Sequence, residues 1–439
     1  MPEVFELDPA RVMQEGAAAA GWLVERGLGA GDRVAVATPN DPRLLALAHG
    51  ALRAGIVPVF VNPALQPPER AWIVEDSRPA LVIDDLDTVP WDRPPAPELA
   101  DVPLGHPMLY TSGTTGRRKG VWRGVLSEGL ARAWAEDERD LWAPDPDATF
   151  LVCSPLYHSA GYRSATAALL AGARVLLLDR FDAAAVVRLL AEEPVTGTFL
   201  VPTHLRRIFA LGDPPPARAA RRIMHAGEPC PESLKRRALE WLPDSLWEFY
   251  GSTEGQFTAI SPDEWLDHPD SVGRARRERR LEVADPGADG VGTVYVTAPE
   301  FARWEYWSDR ERTAAAWRGD AFTVGDLGRL DDDGYLYLSA RREDLVISGG
   351  VNVYPAQVEL VLLEHPAVRE AAVFGVPDAD WGQRVCAAVV AEASRDDLLA
   401  WLHGRVDGAH RPKDVIVVDA LPRTATGKVD RERLRAALE

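Results

Sequence analysis

Apolar positions in the first part of the chain follow two alternating spacings. Val12, Ala19 and Leu23 recur at helical intervals within residues 11–26, and Gly27 marks the stop. Compact apolar runs at 33–37, 57–61 and 80–84 read as strands, with helices predicted over 42–54 and 68–76 between them. A proline-rich connector, 90–107, leads into a short strand at Met108–Tyr110. The alternation then resumes, with strands at 149–153, 174–178, 197–201, 221–225 and 245–249 and helices at 162–170, 183–192, 203–211 and 232–241. Repeated strand–helix alternation implies parallel strands joined by crossover helices, and there are enough units for two such sheets.

From 281 to 296 the pattern changes to short alternating β segments, followed by the aromatic stretch Phe301–Trp307. Asp331-Asp332-Asp333-Gly334, set between Leu330 and Tyr335–Leu338, predicts a tight hairpin. After Arg341–Asp344 the register changes again. A strand at 346–347, a helix over 355–364, strands at 368–376 and 385–391 and a helix over 395–402 form a small α+β unit. The fold class expected is α/β: a large N-terminal domain of stacked α/β sheets plus a small β-structure, residues 1–340, followed by a small α+β domain, residues 341–439.

Composition narrows the function. With 439 residues the chain can hold more than one domain, and 46% apolar and 26% charged residues are ordinary for a globular protein. A formal charge of −18 argues against a nucleic-acid binder, since phosphate backbones demand a basic face. Any anionic ligand must then sit in a local basic pocket such as Arg117–Lys119. The three cysteines, Cys153, Cys230 and Cys386, are far apart and read as reduced thiols. With no secretion signal at the N-terminus and no run long and apolar enough to span a membrane, a soluble cytoplasmic protein is expected.

The stretch richest in chemistry is Thr111-Ser112-Gly113-Thr114-Thr115-Gly116-Arg117-Arg118-Lys119-Gly120. Its glycines let backbone N–H groups converge on a guest, and its hydroxyls and cations suit a polyphosphate. It is not the P-loop spacing, because Arg118 stands where that motif needs a second glycine. His158 follows the 149–153 strand, where open α/β sheets place ligand sites. Glu254, in Tyr250-Gly251-Ser252-Thr253-Glu254-Gly255, also follows a strand and is a reasonable Mg2+ ligand beside phosphate oxygens. Asp326 in Gly325-Asp326-Leu327-Gly328 could accept from a ribose diol, and Lys428 follows Gly427 in a C-terminal loop.

In order and over essentially the whole chain, these segments resemble the adenylate-forming superfamily of acyl-CoA synthetases, stand-alone adenylation domains and luciferases. Thr111–Gly116 with Lys119 matches its phosphate loop, Gly227-Glu228-Pro229 its adenine-contacting stretch, and Tyr250–Glu254 its Y-G-x-T-E segment. Asp326, Arg341 and Pro422–Lys428 match its G-D aspartate, its hinge-proximal arginine and its C-terminal lysine loop. The resemblance implies a mobile C-terminal lid and two half-reactions. A carboxylate attacks the α-phosphorus of ATP to give an acyl-adenylate and pyrophosphate; a thiol then displaces AMP.

It also implies roles. The loop would hold the β- and γ-phosphates, Glu254 the Mg2+, and Thr253 the α-phosphate. Asp326 and Arg341 would fix the ribose, and Lys428 would bridge the carboxylate and the α-phosphate. The lid would pivot at Glu343 and bring Gly349 and Gly350 toward the site as a pantetheine tunnel. His158, Tyr162, His225, Ala226, Tyr250 and Gly251 would line the acyl pocket, a mixture suited to an aromatic or medium-length aliphatic monocarboxylate.

The chain departs from the family pattern in places. It starts late relative to typical members, and Trp122-Arg123-Gly124-Val125 replaces the usual His–Asn region after the phosphate loop. Val324 precedes Gly325-Asp326 where Thr is usual, and Glu343 stands where Asp or Lys is common. The reading favoured is an acyl- or aryl-CoA synthetase using ATP, Mg2+ and coenzyme A, because Gly349–Pro355 looks like the CoA-ligase segment. A stand-alone enzyme that loads the phosphopantetheine of a carrier protein is the alternative. A non-catalytic nucleotide-binding regulator is opposed by Lys119, Glu254, Asp326 and Lys428.

Overall fold

Two six-stranded, mostly parallel sheets carry the first two-thirds of the protein. One runs Val4–Leu7, Arg174–Leu178, Thr149–Val152, Val195–Leu200, Arg222–His225 and Leu246–Glu248, with only Val4–Leu7 antiparallel to its neighbour. The other runs Glu305–Tyr306, Lys119–Trp122, Met108–Thr111, Val57–Phe60, Arg33–Val36 and Leu81–Ile83. The computed structural model describes residues 2–111, 118–144, 146–341, 344–349, 351–378, 380–408, 410–423 and 429–437, the side chains of residues 340 and 341 excepted.

Local chemistry sets the helix starts. Asp8, Asp41 and Asp182 each cap a helix by accepting a backbone N–H, and Pro9 and Pro42 occupy first-turn positions where no N–H is needed. Pro9–Glu25 and Pro42–Arg53 cross so closely that a Cβ on Gly50 would lie 1.7 Å from the Gly16 carbonyl oxygen, so only glycine fits there. One continuous apolar cluster reaches from Leu44 and Phe60 on the second sheet's side to Phe150, Tyr162 and Met224 on the first sheet's side. Asn40, 6% exposed, ties the two sheets together. Its Nδ2 donates to the Ser154 and Leu178 carbonyls at 3.2 and 2.9 Å, and its Oδ1 accepts from the Leu156 N–H at 2.8 Å.

The expected strand–helix order is observed with ends shifted by up to three residues, and the elements that join it include Val4–Leu7, Lys119–Trp122 and the helix Glu128–Trp142. The helix buries Ala131, Trp134, Leu141 and Trp142, but also Asp137 and Glu138. Glu138 accepts from the indole N–H groups of Trp134 and Trp142 and from Arg163; Asp137 pairs with Arg276 and Arg279.

An antiparallel sheet follows, in the order Trp317–Arg318, Ala321–Phe322, Gly292–Thr297, Asp326–Leu330 and Leu336–Arg341, with Arg280–Ala284 on the third strand. The expected Asp331–Gly334 hairpin closes on a Gly334 N–H to Asp331 carbonyl bond of 3.1 Å, with Gly334 at φ +82°. The C-terminal part is a five-stranded sheet packed by the helices Pro355–Leu363, Arg395–Leu402 and Arg431–Ala436.

Candidate active site

Parallel strands end on the same side of a sheet, so the first sheet delivers 153–158, 201–203, 226–229 and 249–254 to one edge. That edge collects three of the segments expected to carry chemistry, those of His158, Gly227-Glu228-Pro229 and Tyr250–Glu254. The second sheet supplies the phosphate loop. Met108–Thr111 and Lys119–Trp122 pair antiparallel with Thr111 opposite Lys119, so the loop is pinched off between those two residues. Ser112, Gly113, Thr114, Thr115 and Gly116 lie outside the described residues. Lys119 places its Nζ 5.0 Å from the centre of the Tyr306 ring. Arg118, one of the three loop cations, is spent on Glu69, with Nη2 2.7 Å from the carboxylate. That ion pair offsets the charge of one cation of the expected Arg117–Lys119 pocket, of which Arg117 lies outside the described residues.

Glu254 sits on a short hairpin formed by Gly251–Ser252 and Gly255–Gln256. The pairing is so tight that a Cβ on Gly251 would come within 2.6 Å of the Gly255 carbonyl oxygen. The Glu254 side chain is 6% exposed, and Tyr306 donates its hydroxyl to Oε1 at 2.8 Å. Thr253, beside it, is half-buried. One carboxylate with phosphate oxygens to complete the shell is the donor set Mg2+ accepts, and the Glu254 turn fits it. Tyr306 was visible in sequence only as part of an aromatic stretch; strand pairing to Lys119–Trp122, which no local pattern reveals, brings it to Glu254.

On the nucleotide side, Asp326 and Arg341 are direct cross-strand partners, so strand register alone sets these two backbones opposite each other. Asp326 is 8% exposed and accepts the Tyr250 hydroxyl proton. Gly227 has φ +93°, which a side chain would resist, and turns the chain into Glu228-Pro229. Glu228 accepts from the Thr203 N–H and hydroxyl at 3.1 and 2.7 Å, which leaves its carboxylate anchoring the Pro202–Phe209 helix start.

The expected acyl-lining residues divide. His158 is exposed at the N-cap of Ser159–Leu170, with its ring 4.9 Å from that of Tyr157. Ala226 and Tyr250 lie at the strand ends, 4% and 8% exposed, and Gly251 is half-buried. Tyr162 is in the core, edge-on to Phe60 and His106 at 5.4 and 5.2 Å. His225 lies deeper than Ala226 and Tyr250. Its ring is fully buried, in contact with Lys235 and 3.4 Å from Glu248. Burial, with Lys235 adding to it, holds His225 neutral far below the usual histidine range.

In the C-terminal part Gly349 has φ +58° and donates its N–H to the Trp381 carbonyl at 2.8 Å; a Cβ there would press on the Trp381 ring at 2.9 Å. Glu343, Gly350, Lys428 and the Arg341 side chain lie outside what is described. No cluster of three or more His, Cys, Asp or Glu residues that could hold a metal occurs among the described residues. None of their helices is long and apolar enough to cross a membrane.

The chain belongs to the AMP-binding enzyme family: residues 10–105 and 106–306 match that family, and 357–428 match the AMP-binding enzyme C-terminal domain. It is 31% identical to the 2-succinylbenzoate–CoA ligase of Bacillus licheniformis over 97% of this chain and 93% of that one. It is 33% identical to the indoleacetate–CoA ligase of Aromatoleum aromaticum over 90% of this chain and 86% of the relative. Among solved structures, o-succinylbenzoate CoA synthetase from Bacillus subtilis bound to its acyl-adenylate intermediate superimposes with a TM-score of 0.86 at 27% identity, covering 97% of this chain and 92% of that one. The same enzyme with ATP and a magnesium ion gives 0.85 at 27% identity, over 97% and 94%.

Proposed function

We infer that the protein is an AMP-forming acid–thiol ligase that activates a carboxylic acid with ATP and passes the acyl group to coenzyme A. Membership of the family, with curated CoA ligases aligned along nearly the whole chain, supports the reaction. The observation that carries the reading is a chain of contacts that ties the three sheets together at these residues: Lys119 lies against the Tyr306 ring, Tyr306 donates to Glu254, and Tyr250, four residues before Glu254, donates to Asp326 opposite Arg341. Two cores that separate between residues 338 and 346 support a division into 1–340 and 341–439: the clusters around Val346 and Phe374 draw on no earlier residue.

In this reading Asp326 and Arg341 hold the ribose, and the turn at Gly227-Glu228-Pro229 flanks the adenine. Thr111–Gly116 and Lys119 hold the β- and γ-phosphates, and Thr253 contacts the α-phosphate. Glu254 would hold Mg2+, which when bound would supply positive charge to the phosphates. The acid's carboxylate oxygen forms the new bond to the α-phosphorus as the bond to pyrophosphate breaks, and Lys428 stabilises the charge developing there. The CoA thiol then attacks the acyl carbonyl and AMP leaves, with Gly349 and Gly350 giving the pantetheine arm a narrow passage and Glu343 serving as the lid's pivot. An aryl or medium-chain monocarboxylate is the substrate class proposed, supported by His158, Ala226, Tyr250 and Gly251 around the acid. Three free cysteines, two of them buried, are in keeping with a reducing cytoplasm.

The test is pyrophosphate release and CoA-thioester mass detection across a panel of aryl and aliphatic acids. One or more acids should give both products. Adenylate without thioester would overturn CoA as acceptor, and no pyrophosphate with any acid would overturn the ligase itself.

A further inference from the structure

We propose that Arg123 is a positioning residue for the Glu254 carboxylate, clamping the metal-binding turn to the strand that leaves the phosphate loop; this rests on the adenylation reading above. Arg123 stands in the stretch where the chain departs from its family's pattern, directly after Lys119–Trp122. Its Nη1 donates to the Ala302 carbonyl at 2.9 Å, and its Nη2 donates to the Thr253 carbonyl at 3.3 Å and to the Glu254 carbonyl. One guanidinium thus joins two segments that lie far apart in sequence. Its central carbon lies 5.3 Å from the Trp134 ring, which offers the cation a π face. The turn backs onto a small cleft lined by Arg123, Trp134, Arg163, Phe257 and Phe322.

The same ribbon holds Glu254 a second time. Ala302 leads into Glu305–Tyr306, which pairs with Lys119–Trp122 in the register Tyr306 opposite Val121. From there Tyr306 reaches Glu254 Oε1. Glu254 is therefore gripped by its backbone through Arg123 and by its carboxylate through Tyr306. Both grips come from one antiparallel ribbon, Lys119–Trp122 with Glu305–Tyr306, and at the far end of its first strand Lys119 closes the phosphate loop against Thr111. Moving the ribbon moves the phosphate clamp and the metal carboxylate together. The task needs arginine: a planar fork of five N–H donors can serve three carbonyls at once, whereas a lysine ammonium on a flexible stem cannot hold the same plane.

The test is calorimetric titration of the full-length protein with ATP, once in excess MgCl2 and once in EDTA, for wild type, Arg123→Met and Arg123→Lys. Thermal unfolding is measured alongside. Wild type should bind ATP more tightly with Mg2+ than without. Arg123→Met should lose on the order of 10-fold of the Mg2+-dependent part, as losses of groups that orient a metal ligand do, while binding in EDTA stays within about twofold. Arg123→Lys should fall between, and it serves alone if the methionine variant does not fold. A lowered melting temperature with an unchanged Mg2+-to-EDTA affinity ratio means that Arg123 only stabilises the fold, and the proposal fails. A wild-type protein whose ATP affinity ignores Mg2+ overturns both the proposal and the reading beneath it.

Discussion

The proposed reaction gives Glu254 the Mg2+ and Lys428 the charge that develops at the α-phosphorus, and the two tasks ask different things of the fold. Glu254 needs a fixed direction, which Tyr306 supplies at 2.8 Å. Lys428 belongs to the proposed lid, so its role should be separable from the second half-reaction. Lys428→Ala should lower adenylation by on the order of 10²–10³, the usual result of removing one preorganised donor. It should leave thioester formation from supplied acyl-adenylate near the wild-type rate. Equal loss in both assays would remove the assigned role. Glu254 was readable from its neighbours as a carboxylate between small residues after a strand. Tyr306 and Arg123 were not, because their importance comes from partners at a sequence distance of 52 and about 130 residues.

Elements carry the next level of the site. The Asp331–Gly334 turn was legible because Gly334 must take a positive φ and Asp331 accepts from the Asp333 and Tyr335 N–H groups. The turn also sets the register that places Asp326 opposite Arg341, with a bulge between Leu327 and Gly328. Gly334→Val has open space around its Cβ but the wrong backbone preference, so it should cost about 1–2 kcal/mol in chemical denaturation. It should also raise KM for ATP, whereas an unaltered KM would show that the register survives the strained turn. By contrast, the helix Glu128–Trp142 was not legible. Its core face includes Asp137 and Glu138, which break the apolar period and are stable inside only because Arg163, Arg276 and Arg279 meet them. Asn40 was equally silent, since nothing near it in sequence shows that it spans two sheets. Asn40→Ala should cost about 2–3 kcal/mol in urea unfolding, because it strands the buried Leu156 N–H and removes the donor to two carbonyls. Loss of less than half that amount would mean that the sheets are held by packing alone.

For the whole molecule, stability and acid are coupled through histidines that the fold keeps neutral. Burial pushes His49 down to about 4 and His204 to about 3, and it holds His106 and His225 well below the ordinary range. Nearby cations (Arg53, Arg207, Arg163 with Arg123, and Lys235 respectively) push in the same direction. The unfolded chain protonates these rings near pH 6.5 while the native state does not, so unfolding takes up protons below that pH. Stability is then fully present above about pH 6.5 and is lost as pH falls toward the depressed native values, with each ring contributing up to about 1.4 kcal/mol per pH unit. Glu248 and Asp270 work the other way. Burial raises both, so they favour the native state as protons are added, but they act nearer the carboxylate range and are outnumbered. Urea midpoints at constant ionic strength should therefore be flat from pH 8 to 7 and fall steeply between about pH 6.5 and 4.5, ahead of general carboxylate titration. A midpoint unchanged down to pH 5 would mean that these rings gain charged partners or solvent as the protein acidifies.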